Sequence, residues 1–155
     1  MFTELRKRIL EDKEKEIANG YFHNLEHIKL LNIISDSDIE KQFWNTSRKT
    51  LKNCPKELDR AGTSRIDLFN WIYKSISHLF NGNDYIIFNV KNTNIIAKVM
   101  FEDFDKALEE LINLSEEIKN NGAEECIDIT FCNDNYFVNI WQGEYNYELY
   151  LQQIA

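Results

Sequence analysis

Proline occurs once in this chain and glycine five times, too little for a collagen-like, linker-rich or low-complexity polymer. Nor is there a G-x-G-x-x-G or Walker pattern, so no glycine-rich loop is set to cradle phosphate. The cysteines are Cys54, Cys126 and Cys132, an odd set without a C-x-x-C pair, which fits neither a disulfide framework nor a structural zinc site. Cys126 and Cys132 fall on one expected strand, about 20 Å apart if it is extended, too far to bridge. No apolar run approaches the roughly 18 residues of a membrane span. The opening MFTELRKRILEDKEKE turns to charge where a secretory signal needs an apolar stretch. Free thiols in a reducing cytoplasm are the expected setting.

What is present suffices for a core. The 155 residues are 43% apolar and 13% aromatic, which excludes a disordered acidic tail. A chain of this length forms one domain, residues 1–155, that buries roughly 70% of the surface exposed when unfolded.

The first half reads as helical. Phe2, Leu5 and Ile9 stand at helical spacing, with Gly20 as a stop. Asn24 is placed to cap a second helix carrying Leu25, Ile28, Leu31 and Ile34. Ser37 and Glu40 form a capping box ahead of Ile39, Phe43 and Leu51, bounded by Pro55. A fourth helix begins near Thr63 or Ser64, with Phe69, Ile72, Ile76 and Leu79 on one stripe, and closes at Gly82. From Asp84 the period changes to two: DYIIFNV and NIIAKVMF read as a hairpin. Asp103 then caps a helix with Phe104, Ala107, Leu108, Leu111 and Ile118 inward, ending at Gly122. CIDITF, YFVNIWQ and YNYELYL read as three more strands. The expected fold is α+β: four N-terminal helices, then a mainly antiparallel sheet of about five strands with one inserted helix, the helices lying on one face.

Charge is distributed unevenly. Residues 1–83 carry 14 Lys and Arg against 12 Asp and Glu, whereas residues 84–155 carry 4 against 14. Within that acidic half, alternation puts Ile127, Ile129 and Phe131 toward the core and Asp128 and Thr130 outward. The same alternation groups Phe137, Asn139 and Trp141 on the next strand with Asn146, Glu148 and Tyr150 on the last. Helices covering this second face would make those aromatics core. Left open, the face suits a protein partner: carboxylates steer and large aromatics anchor. The candidate partner-binding residues are Glu124, Glu125, Asp128, Asp134, Trp141, Glu144, Glu148 and Tyr150.

One string matches a catalytic spacing. His23, Asn24, Leu25, Glu26 and His27 read H-x-x-E-H, as in inverted zinc proteases, where helical His pairs hold zinc beside a glutamate base. No further ligand is evident and proteins of that family are several times longer, so capping or surface histidines are expected, with no metal, no cofactor and no enzyme activity. Nothing local pairs a cysteine with His78 for nucleophilic catalysis. The basic stretch Arg48, Lys49, Lys52, Lys56, Arg60 and Arg65 lacks interleaved aromatics and belongs to an acidic chain, so nucleic-acid binding is not expected.

In size, acidity, richness in Asn and Lys, absence of catalytic motifs and acidic-aromatic sheet, the chain resembles the cytoplasmic immunity proteins that neutralise bacterial contact-dependent growth-inhibition toxins and their relatives. That resemblance implies a tight one-to-one complex with a cognate toxin domain, often a basic nuclease, whose active site or substrate surface is covered. Two rival readings are an acidic cytoplasmic secretion chaperone and a small zinc hydrolase using His23, Glu26 and His27.

Overall fold

The computed structural model describes residues 2–81, 84–120 and 127–154, with the side chains of residues 2, 84 and 115–120 outside that description. The inward Ile118, the stop at Gly122 and Cys126 therefore lie outside the described residues, as does Gly82, but the helix expected to run to Gly82 ends earlier, at Ile76, and passes into a 3-10 turn over Ser77–Leu79.

Among the described residues, seven antiparallel strands form one sheet in the order β1-β4-β3-β5-β6-β7-β2, and four α-helices are interleaved with them. In chain order these are α1 (Phe2–Phe22), β1 (Ile28–Ile33), α2 (Ser37–Thr50), β2 (Lys56–Asp59), α3 (Arg65–Ile76), β3 (Asp84–Asn89), β4 (Ile96–Phe101), α4 (Phe104–Asn120), β5 (Asp128–Cys132), β6 (Tyr136–Gln142) and β7 (Asn146–Gln153). The fold is α+β, but the expectation of four N-terminal helices followed by about five strands is wrong. The segment read as the second helix is strand β1, and a further strand, β2, separates α2 from α3.

The error at β1 has a physical cause. Ile28, Leu31 and Ile34 satisfy a helical period, yet Ile28 and Leu30 satisfy a strand period equally well, and short apolar runs do not distinguish the two. Pairing with β4 decides it. Ile28 lies opposite Phe101 and Leu30 opposite Val99, then the register shifts between Leu30 and Asn32 so that Ile33 meets Ala97. This bulge returns Ile33 to the core face with Ile28 and Leu30, where plain alternation would have turned it away, while Leu31 stays exposed. Strand β2, with sequence KELD, carries too little apolar signal to be read alone.

Where local signals are strong, expectation and structure agree closely. Ser64 accepts from the Asp67 amide and Asp67 accepts from the Ser64 amide, both at 3.1 Å, a capping box that starts α3. The box expected from Ser37 and Glu40 is corrected: Ser37 is already the first helical residue of α2, and the N-cap is Asp36, which accepts from Asp38 N at 2.9 Å.

The main core lies between one sheet face and three helices. Ala18 and Phe22 of α1, Leu68, Ile72 and Ile76 of α3, and Phe104, Leu108 and Leu111 of α4 pack with Ile86, Val99, Ile129, Phe131, Val138 and Ile140. Phe69, expected in this group, is only half-buried on the margin. A second, smaller core occupies the other face, so the helices do not share one side. There α2 presents Phe43 to Ile34, Ile96, Cys132 and Phe137, and the Phe43 and Phe137 rings meet at 5.1 Å. Helix α2 covers only part of this face. Among the described residues, no helix is long and apolar enough to cross a membrane.

Candidate functional site: a carboxylate and tryptophan row on the second sheet face

Strand register builds the site. Asp128 on β5 lies opposite Trp141 on β6, Trp141 opposite Glu148 on β7, and Glu148 opposite Glu57 on β2. Directly paired residues in an antiparallel sheet share a face, so these four form one continuous row across four strands. One step along the strands, Thr130, Asn139 and Tyr150 form a second row. A third, Cys132, Phe137 and Gln152, reaches the part of the face against which α2 packs. The alternation read from sequence is therefore correct for β5, β6 and β7. The fate of the aromatics is divided: Phe137 is fully buried under α2, whereas Trp141 is 40% exposed.

The second row holds the first in place. Asn139, nearly buried, donates its amide to Asp128 at 3.1 Å and to Thr130 at 2.6 Å. The Tyr150 hydroxyl donates to the Glu148 carboxylate, and that bond is the main reason its pKa is pushed up to about 12. Gly143 allows the neighbouring turn to approach closely, since a Cβ there would sit 3.1 Å from Glu148 Oε1 and 3.0 Å from the Asn146 carbonyl. Both carboxylates flanking Trp141 are thus oriented before any partner arrives. Burial holds the Asp128 carboxyl above the usual aspartate range, against the opposing pull of the Asn139 bond and the charge of Lys91.

Glu57 joins this row only because β2 pairs with β7, and no signal in KELD announced it. Arg60, just beyond β2, secures the same corner. Its guanidinium donates to the carbonyls of Gly143 at 2.6 Å and Glu144 at 3.1 Å and lies over the Tyr147 ring. A residue of the basic stretch is thereby occupied within the molecule, as is Arg65, which donates to Asn113 at 2.6 Å.

The candidate residues divide accordingly. Asp128, Trp141, Glu148 and Tyr150 are brought together on one face, and Glu144 sits exposed in the adjoining β6–β7 turn. Asp134 belongs elsewhere: it lies in the β5–β6 turn, about 20 Å along the strand from Asp128. There it lines a cleft with Ile39, Phe43 and Phe137. Its charge, second to burial, helps push the Cys132 thiol up to about 12, leaving that cysteine a poor nucleophile. Glu124 and Glu125 lie outside the described residues.

The H-x-x-E-H string does not form a helical face. Helix α1 ends at Phe22, and His23 to His27 make the connection to β1. Glu110 of α4 organises this turn, accepting from the amides of Glu26 at 2.7 Å and His27 at 2.6 Å and bonding His27 Nδ1 at 2.7 Å. Among the described residues, no three His, Cys, Asp or Glu side chains gather into a metal-binding group. The free cysteines there are Cys54, exposed, and Cys132, buried.

Comparison of the chain with protein-family models, with curated proteins and with solved structures gives no match.

Proposed function

We propose that this protein is an immunity protein that binds a cognate toxin domain one-to-one in the cytoplasm and neutralises it. The observation that carries this reading is the row Asp128–Trp141–Glu148–Glu57: an exposed indole between oriented carboxylates, outside the footprint of α2. Carboxylates held by Asn139 and Tyr150 lose little further freedom on binding, and an exposed tryptophan supplies contact area at small entropic cost. The fitting partner is a basic nuclease domain, because an enzyme that holds phosphate must display cations, and an acidic surface competes for them. Asp128, Trp141, Glu148 and Tyr150 form the centre of the proposed interface, Glu57 extends it, and Glu144 lies at its rim. Asp134 is not part of it.

An immunity gene sits directly after its toxin gene, so the test uses the toxin domain encoded immediately upstream. Titration calorimetry of the two purified proteins is expected to give a 1:1 complex, and co-expression should relieve growth inhibition. No complex at micromolar concentrations with that product would overturn the proposal.

A further inference from the structure

We infer that the amino-terminal half of α1 is a self-association arm that pairs antiparallel with the same segment of a second copy. The tertiary packing of α1 is concentrated at its carboxy-terminal end, where Ala18 and Phe22 are buried and Tyr21 is half-buried. From Thr3 to Ile17 no residue is buried, a stretch about 22 Å long at 1.5 Å per residue. Within it Leu5 is 56% exposed, Ile9 48%, Leu10 60% and Ile17 49%. The line facing the body runs through Glu11 and Glu14, both half-buried, to Ala18 and Phe22. At 100° per residue Ile9 points diametrically away from Ala18, with Leu5 beside it and Leu10 and Ile17 on the flank. These aliphatics therefore cannot be covered by folding back onto the body. A helical arm with so little buried surface gains stability from any further apolar surface that covers Leu5, Ile9, Leu10 and Ile17.

Charge identifies that surface as a second copy. Residues 2–10 hold Arg6, Lys7 and Arg8 against Glu4, while residues 11–17 hold Glu11, Asp12, Glu14 and Glu16 against Lys13 and Lys15. The arm is thus basic at one end and acidic at the other, and only antiparallel pairing sets the opposite signs together. In the register that places Leu5 opposite the second copy's Ile17, Arg6 also meets the second copy's Glu16. A parallel pair would set Arg6 against Arg6 and Glu16 against Glu16. The arm stands apart from the Trp141 row, so this inference does not depend on the proposed function.

Sedimentation equilibrium on the full chain, free of partner, tests it. The unaltered protein is expected to dimerise reversibly in the micromolar range. Ile9→Asp with Leu10→Asp should weaken dimerisation about a hundredfold or more, since each removes exposed apolar surface from the seam. Arg6→Glu alone and Glu16→Arg alone should each weaken it about tenfold, less at high salt. Mixing those two variants should restore a heterodimer, because each arm then offers the other its missing sign. The near-ultraviolet spectrum of the aromatic core checks that every variant stays folded. A monomeric wild type, or charge variants that dimerise as well alone as mixed, would overturn the inference.

Discussion

The Asn139 side chain donates to the Asp128 carboxylate at 3.1 Å, from a position that is itself only 7% exposed. Asp128 is therefore packed against β6 beside Trp141, and its desolvation outweighs the hydrogen bond. With its pKa above the ordinary aspartate value of 3.8, the folded state holds this proton more tightly than the unfolded chain. The contribution to stability is consequently greatest below 3.8, falls as pH rises through the folded value, and is absent at neutral pH. Asp128→Asn, which keeps an oxygen for Asn139, is expected to leave stability at pH 7 equal or higher and to flatten the acid-range slope. Urea unfolding across that range checks this, and a clear loss at pH 7 would show the ionised carboxylate to be stabilising.

Binding to the proposed toxin domain should separate steering from anchoring. Charge reversal at Asp128 or Glu148 is expected to slow association, with the defect shrinking as salt approaches 1 M and a Debye length of about 3 Å. Trp141→Ala should instead shorten the complex lifetime with little salt dependence, costing on the order of 2 kcal/mol or more. Stopped-flow and surface-based kinetics distinguish the two; unchanged rates in all three variants would place the interface elsewhere.

The Tyr150 hydroxyl has a spectroscopic signature of its own. Its pKa, about 12, is raised first by donation to Glu148. In Glu148→Gln the phenol should ionise closer to the ordinary tyrosine range, near 10. Ultraviolet difference titration of Glu148→Gln against wild type, with Tyr150→Phe to assign the signal, reads the shift directly.

The two cores should respond to truncation in different ways. Ile72→Ala and Leu111→Ala, in the main core, are expected to cost roughly 2 to 5 kcal/mol each, and Phe69→Ala less because it is half-buried. Phe43→Ala and Phe137→Ala each remove one ring of the contact that seats α2, so their effects should not add in a double-mutant cycle. Additive costs would mean that α2 is held by something other than this pair.

Glu110 is expected to matter for folding. Glu110→Ala leaves the amides of Glu26 and His27 without their acceptor and should cost about 1 to 3 kcal/mol by chemical denaturation. Mass-spectrometric metal analysis of the purified protein is expected to find no stoichiometric zinc. One equivalent held tightly, and lost with His23→Ala and His27→Ala, would revive the hydrolase reading.

Local periodicity alone determined much of this molecule. The start of α3 near Ser64, the β3–β4 hairpin, the stripe of α4 and the alternation that puts Asp128, Thr130, Asn139, Trp141, Glu148 and Tyr150 on one face depend on residues a few positions apart. What only tertiary structure decided depends on partners far away in the chain. Strand β1 exists because Ile28 meets Phe101, and β2 because Glu57 meets Glu148, pairings that no nearby residue specifies. The same distance effect parted Phe137 from Trp141: both stand on one face of β6, but α2 arrives over the first and stops short of the second. It also excluded Asp134, since charge counted along a sequence says nothing about which end of a strand a residue occupies. Alternation sets the face on which a side chain stands; the packing of other elements sets whether that face meets solvent.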